Sequence, residues 1–323
     1  MKKILSLILA GILSLTVLAS CGGSDDKTIT VAASSAPHAE ILEQCKAAMT
    51  EKGYTLDIRV MDDYVTPNVA TDDGDVDANY FQHQPYLDRF NAEKGTKLAT
   101  VAKVHYEPYG IYAGTCKALA DLTDGAVVAV PNDATNEARA LLLLEANGLI
   151  KLAEGAGLTA TKNDIVENPK NLDIREMEAA LLPTVLDEVA FAVINGNYAI
   201  SAGLKVAEAL AVEDAASEAA QTYANILVVK EGNENLDKVK ALVEVLHSDA
   251  IRTYITDTII PLKLPEGAAV TVNGGETVDG GVIFTETSAS LTVDLTASSD
   301  SPVTADTVVI NEISYRGYET EFV

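Results

Sequence analysis

The sequence predicts an α/β fold, in two domains or one domain of two lobes, followed by a small β-rich extension. Short apolar runs rich in Val, Ile and Ala alternate with helix-period stretches from residue 28 onward. That alternation implies parallel sheets with ligand sites at the carboxyl ends of the strands. A chain of 323 residues is long enough for two domains, or for one domain of two lobes. After about residue 260 the helical period disappears, and Thr, Val, Ser and Gly take over.

The elements follow in order. Lys2 and Lys3 form a positive n-region, and residues 4–18 are an apolar run ending in Leu18-Ala19-Ser20-Cys21. The run is short for a bilayer span, which needs ~20 apolar residues, so residues 1–20 read as a removed signal peptide with a lipobox. Cleavage before Cys21 would free its thiol for lipidation. More than one acyl chain would then hold the protein at a membrane of the cell envelope, on the extracytoplasmic side. Residues 21–27, containing GGSDD, read as a flexible tether.

TITVAAS (28–34) reads as a buried strand. Residues 39–52 follow as a helix with Ile41, Leu42, Cys45 and Met49 on one face, closed by Gly53. LDIRVM (56–61) returns as a strand. VVAV (127–130) is a strand running into a helix that Gly148 stops, and residues 172–194 repeat strand, helix, strand. Beyond residue 260, AVTVNGG, VIFTETSASLTVDLTAS and TVVINEIS alternate like exposed strands between turn-prone NGG and DGG. Residues 261–323 are therefore expected to be a separate β module.

Composition excludes several classes. A formal net charge of −25 argues against nucleic acid, which needs a basic face. The same charge repels anionic head groups, so membrane association has to rest on the acyl anchor at Cys21. Cys45 and Cys116 could pair in an exported protein or stay as two free thiols. No GxSxG elbow, phosphate loop or HExxH motif is present, so an enzyme is not expected. His38, His83, His105 and His247 show no close ligand spacing, which disfavours a metal-capturing protein, and no cofactor is expected.

Five segments carry a resemblance: DYVTPN (63–68), GDVDANYFQHQPYL (74–87), AVPNDATNEARALLLL (129–144), VENPKNLDI (166–174) and AVINGNYA (192–199). In order and spacing they resemble the methionine-binding lipoproteins of the NlpA/MetQ family, over roughly residues 28–258. The resemblance implies a periplasmic-binding-protein-like fold with two crossovers. Lobe one would comprise residues 28–111 and 223–258, and lobe two residues 112–222. It also implies capture of methionine for an ABC permease with a cytoplasmic ATPase, without chemistry on the ligand. The same fold could instead take another small amino acid, methionine sulfoxide or a methionyl dipeptide.

The family pattern implies roles for particular residues. Arg139, near the start of a helix, would hold the ligand carboxylate bidentately, as a guanidinium can. Asn195 and Asn225 resemble the family's ligand-binding asparagines, since an amide both donates and accepts; a turn role in NGN is the plain alternative for Asn195. Tyr80, Phe81, His83, Tyr106 and Tyr109 would enclose the thioether, whose contacts with aromatic rings are worth ~0.3–1.5 kcal/mol each. Tyr86 is expected in the core. Tyr80 stands where many relatives carry a small residue, and Cys116 follows the first crossover; both bear on pocket depth.

Overall fold

The computed structural model describes residues 27–213 and 222–255, together with the backbone of four strands farther on. The signal peptide, Cys21 and most of the tether lie outside the described residues. No helix among the described residues is long and apolar enough to cross a membrane.

Two five-stranded sheets form the body. The first has the order β2-β1-β3-β12-β4, from β1 (Thr28–Ala33), β2 (Thr55–Val60), β3 (Ala78–His83), β4 (Leu98–His105) and β12 (Asn225–Lys230). The second has the order β11-β5-β10-β6-β9, from β5 (Gly110–Ala113), β6 (Val127–Pro131), β9 (Asp173–Met177), β10 (Phe191–Ile194) and β11 (Ala211–Val212). The chain leaves the first sheet after β4 and re-enters it at β12.

The sheets are mixed rather than parallel. β1 pairs in parallel with β2 and β3, but β12 runs antiparallel to both β3 and β4. In the second sheet β6 is parallel to β9 and β10, while β5 is antiparallel to β10 and β11. Local pattern reveals which segments are strands; the direction of β12 depends on the chain coming back from the other sheet.

Helices cover the sheets as their periodicity requires. The helix α1 (Glu40–Glu51) buries Ile41, Leu42, Cys45 and Met49 against Ile29, Val31 and Leu227, and Gly53 behind it takes φ +82°. A fully buried aliphatic side chain of this kind stabilises by about 1.5–3 kcal/mol. The helix α4 (Ala134–Ala146) buries Leu141 and Leu144 on the second sheet. Asp133 caps its start by accepting from the Asn136 amide N–H at 3.1 Å. The helix expected between β9 and β10 is instead a 3-10 stretch, Ala179–Val185, with Pro183 inside it removing a backbone donor.

Cys45 is buried in α1 and Cys116 is half-buried, and both are free thiols. In the extension, strand Ala268–Val272 pairs antiparallel with Val293–Ala297, and Gly275–Val278 pairs with Gly281–Phe284.

Candidate functional site

A cavity of about 350 Å³, its open mouth included, is lined from both sheets. The topology puts it there: β3 ends at His83, β10 ends at Ile194 ahead of Asn195, and Asn225 opens β12 opposite both His83 and His105. Carboxyl ends of strands from the two sheets therefore converge on one space.

One wall is aromatic. Tyr64, Phe81 and Tyr86 stand with ring centroids 5.7–6.2 Å apart, and His83 packs edge-on to Tyr86. Their polar hydrogens are engaged within the protein. Tyr64 Oη donates to Asn197 Oδ1 at 2.7 Å, Tyr86 Oη donates to the Tyr64 carbonyl at 2.8 Å, and His83 Nε2 lies 3.2 Å from Asn136 Oδ1. Burial, aided by the Arg139 charge, lowers the His83 pKa to about 3, so the ring is neutral at pH 7. The face offered to a guest is thus apolar and polarizable.

The opposite side is a relay of amides with fixed polarity. The Asp133 carboxylate accepts from the backbone N–H and the Nδ2 of Asn136, which turns Asn136 Oδ1 away from it. Asn136 Oδ1 then accepts from Asn195 Nδ2 at 2.9 Å. Asn195 Oδ1, buried, has no partner among the described residues, and neither has Asn197 Nδ2. Such a group left unmatched costs ~1–3 kcal/mol, and both side chains line the cavity.

Two charged groups complete it. Arg139 is only 5% exposed; its guanidinium lies over the Tyr223 and Tyr109 rings at 4.4 and 4.7 Å. Its Nε contacts both Glu213 carboxylate oxygens, and Nη2 donates to Glu213 and to the Glu107 carbonyl at 3.1 Å. Glu107 is buried, which alone would raise its carboxyl, yet His38, His105 and Arg139 hold it below the usual range and ionised.

Of the residues the sequence singled out, Arg139, Asn195, Asn225, Phe81 and His83 line this cavity; Tyr80, Tyr106 and Tyr109 do not. Tyr80 is fully buried in the core of the first sheet, its hydroxyl bonded to His105. Tyr106 and Tyr109 flank the Arg139 guanidinium, with Tyr106 Oη also donating to Glu213. They hold a cation rather than a thioether. Tyr86, expected in the core, is only partly buried and faces the cavity. Arg139 sits in the second turn of α4, beyond the helix start, and its Nε–Nη2 edge is taken by Glu213.

Tyr64, Gln82, Glu107, Asn136, Gly196 and Asn197 also line the cavity and were missed. Tyr64, Gln82, Asn136, Gly196 and Asn197 stood inside the motifs quoted from the sequence. Glu107 sat between two tyrosines in HYEPYG, one acid among many, with nothing local to distinguish it.

The fold also brings together what spacing kept apart: ligating atoms of His38, His105 and Glu107 lie within 4.8 Å of one another. They are matched by hydrogen bonds, with His105 Nε2 donating to Glu107 Oε1 at 2.7 Å and His38 Nε2 lying 2.9 Å from Asn225 Oδ1. His83 is in the aromatic wall, and His247 bonds the Lys103 carbonyl at 2.9 Å.

Comparison with known proteins gives a consistent picture. The family model described as NlpA lipoprotein matches residues 29–266. The methionine-binding lipoprotein MetQ of Bacillus subtilis is 42% identical over 269 residues, covering 79% of this chain and 95% of that protein. Among solved structures, a nutrient binding protein from Burkholderia cenocepacia bound to methionine is 42% identical with TM-score 0.68, covering 72% of this chain and 96% of that one. A periplasmic substrate-binding protein of an ABC transporter from Coxiella burnetii is 41% identical with TM-score 0.67, covering 72% and 97%.

Proposed function

The chain belongs to the NlpA lipoprotein family, and from that premise we propose that it is the substrate-binding protein of an ABC importer, holding methionine in the cavity between its sheets. It binds and delivers; it carries out no chemistry on its ligand.

The observation that carries this reading is the polarity of the cavity. A free amino acid brings three ammonium hydrogens and a carboxylate. Facing it are acceptors on Asn195 and the ionised Glu107, and donors on Arg139 and Asn197, all of which line the cavity. Arg139 would hold the carboxylate, and Glu107 with Asn195 would hold the ammonium. The side chain would then meet Tyr64, Phe81, His83 and Tyr86. A thioether suits that wall, because sulfur packs well on aromatic rings. A sulfoxide oxygen suits it less, since the hydroxyl and ring N–H groups there already have acceptors.

In the same reading, Cys21 carries the acyl anchor, and the partners are an ABC permease and its cytoplasmic ATPase at an envelope membrane. Closure over ligand fits contacts that already bridge the sheets, among them Tyr198 Oη donating to the Asp62 carbonyl at 2.9 Å.

The test is calorimetric titration of the mature chain with L-methionine, after unfolding and refolding to strip co-purified ligand. One-to-one binding, lost in Arg139→Ala and Asn195→Ala, is expected. No heat and no thermal shift with methionine would overturn the ligand while leaving the family intact, and methionine sulfoxide and methionyl dipeptides would be titrated next.

A further inference from the structure

His38 does not line the cavity, yet it contacts two residues that do. It is fully buried, its Nε2 lies 2.9 Å from Asn225 Oδ1 and 3.5 Å from Glu107 Oε1, and its Nδ1 lies 3.1 Å from Ser34 Oγ. Beyond Glu107 the chain of contacts continues to His105 and the Tyr80 hydroxyl.

Which nitrogen of His38 carries its proton follows from these neighbours. An ionised carboxylate only accepts, so a bare lone pair on Nε2 facing Glu107 would be repelled, whereas an N–H there is attracted. Ser34 Oγ–H can serve Nδ1 as donor. His38 is therefore the neutral Nε2–H form, consistent with burial lowering its pKa to about 4. An N–H at Nε2 in turn requires an oxygen from Asn225, so the Asn225 amide turns Oδ1 toward His38. Its Nδ2 is left with no partner among the described residues, in a side chain that lines the cavity.

We infer that His38 is a positioning residue for the binding site: under the direction of Glu107 it fixes the Asn225 amide so that the wall there donates a hydrogen bond. Glu107 thus has two tasks, counter-charge for the ammonium and, through His38, orientation of a donor for the carboxylate. The inference rests on the amino-acid reading of the cavity for its ligand, but the orientation itself is a property of the empty site.

Two measurements test it. By ¹⁵N NMR of the ligand-free mature chain, His38 is expected as the neutral Nε2–H tautomer; an Nδ1–H tautomer overturns the assignment whatever the ligand is. By calorimetry with L-methionine, His38→Leu is expected to weaken binding roughly 10- to 100-fold, the loss of one charge-assisted hydrogen bond. His38→Gln keeps an N–H near the Nε2 position and should retain most of the affinity, whereas His38→Asn, whose amide reaches only the Nδ1 position, should not. This second pair carries the comparison if His38→Leu fails to fold. In an Asn225→Ala background the His38 effect should shrink below about threefold, because it acts through that amide. Equal losses with and without Asn225 overturn the inference. If the wild-type chain binds no methionine, the ligand reading fails and the tautomer alone decides this one.

Discussion

Arg139 and Glu213 form a buried bidentate pair, with the Arg139 Nε 3.0 and 3.1 Å from the two carboxylate oxygens and both side chains at most 11% exposed. The pair explains how a guanidinium can wait inside the protein for a ligand. Glu213 raises an already high pKa still further, against the burial that would lower it, and Tyr109 and Tyr223 shield the planar faces. Removing one partner of such a pair strands the other charge. Glu213→Ala is expected to lower stability by about 3–5 kcal/mol, read from urea unfolding of the ligand-free chain. A change below about 1 kcal/mol would mean that water or another residue readily replaces the carboxylate.

Gly196 lines the cavity beside Glu107, and a Cβ there would lie 2.5 Å from the Glu107 Cβ and 2.8 Å from its Oε2. The nearest atom is next to the backbone, so the clash cannot be relieved by a swing of the carboxylate alone. Gly196→Ala should displace Glu107 and weaken methionine binding by at least tenfold, about 1.4 kcal/mol. Methionine affinity within twofold of wild type would show that Glu107 does not meet the ligand.

Much of this was legible in the sequence, and what was not has physical causes. Strand and helix positions around residues 28–60 and 127–146 follow from local periodicity, which responds to nearby burial. The antiparallel entry of β12 follows from a return across some 120 residues, beyond the reach of any local pattern. In the site, Phe81 and His83 could be picked out because they sit in an aromatic cluster. Tyr80, their neighbour, points into the core, and Tyr106 and Tyr109 wrap Arg139. All three lie off the cavity wall for one reason: composition reveals an aromatic cluster but not which side of a strand or crossover each ring takes. Glu107 and His38 gain their roles only when β4 and the segment after β1 are brought together.

The aromatic wall predicts selectivity as well as affinity. Phe81 is 3% exposed and packs on Tyr64 and Tyr86. Phe81→Leu keeps an apolar wall but removes a ring face from the thioether. Methionine should lose roughly three- to tenfold in affinity, in line with one sulfur–aromatic contact of ~0.3–1.5 kcal/mol, while leucine should lose less. Competition calorimetry of the two ligands reads the ratio. A ratio unchanged by the substitution would remove Phe81 from the specificity wall.

Acid should destabilise the ligand-free chain in a window set by two of its buried histidines, His38 and His83. Burial lowers His38 to about 4 and His83 to about 3, against 6.5 for an unfolded histidine. Between those values the unfolded chain binds protons that the folded chain refuses, so stability is full above about pH 6.5 and falls as the pH drops toward 3. At 1.36 kcal/mol per pKa unit, the rings contribute on the order of 3 (His38) and 5 kcal/mol (His83) across their windows. Glu107, held below the usual carboxylate range, adds to the loss once the pH falls below the unfolded glutamate value. Asp133, which burial raises, works the other way. Urea unfolding from pH 7 to 4.5 should therefore show a steady decline, and His83→Gln should flatten its slope by up to one proton. An identical slope in that variant would mean that His83 takes up its proton in the folded protein, with the wall open to water.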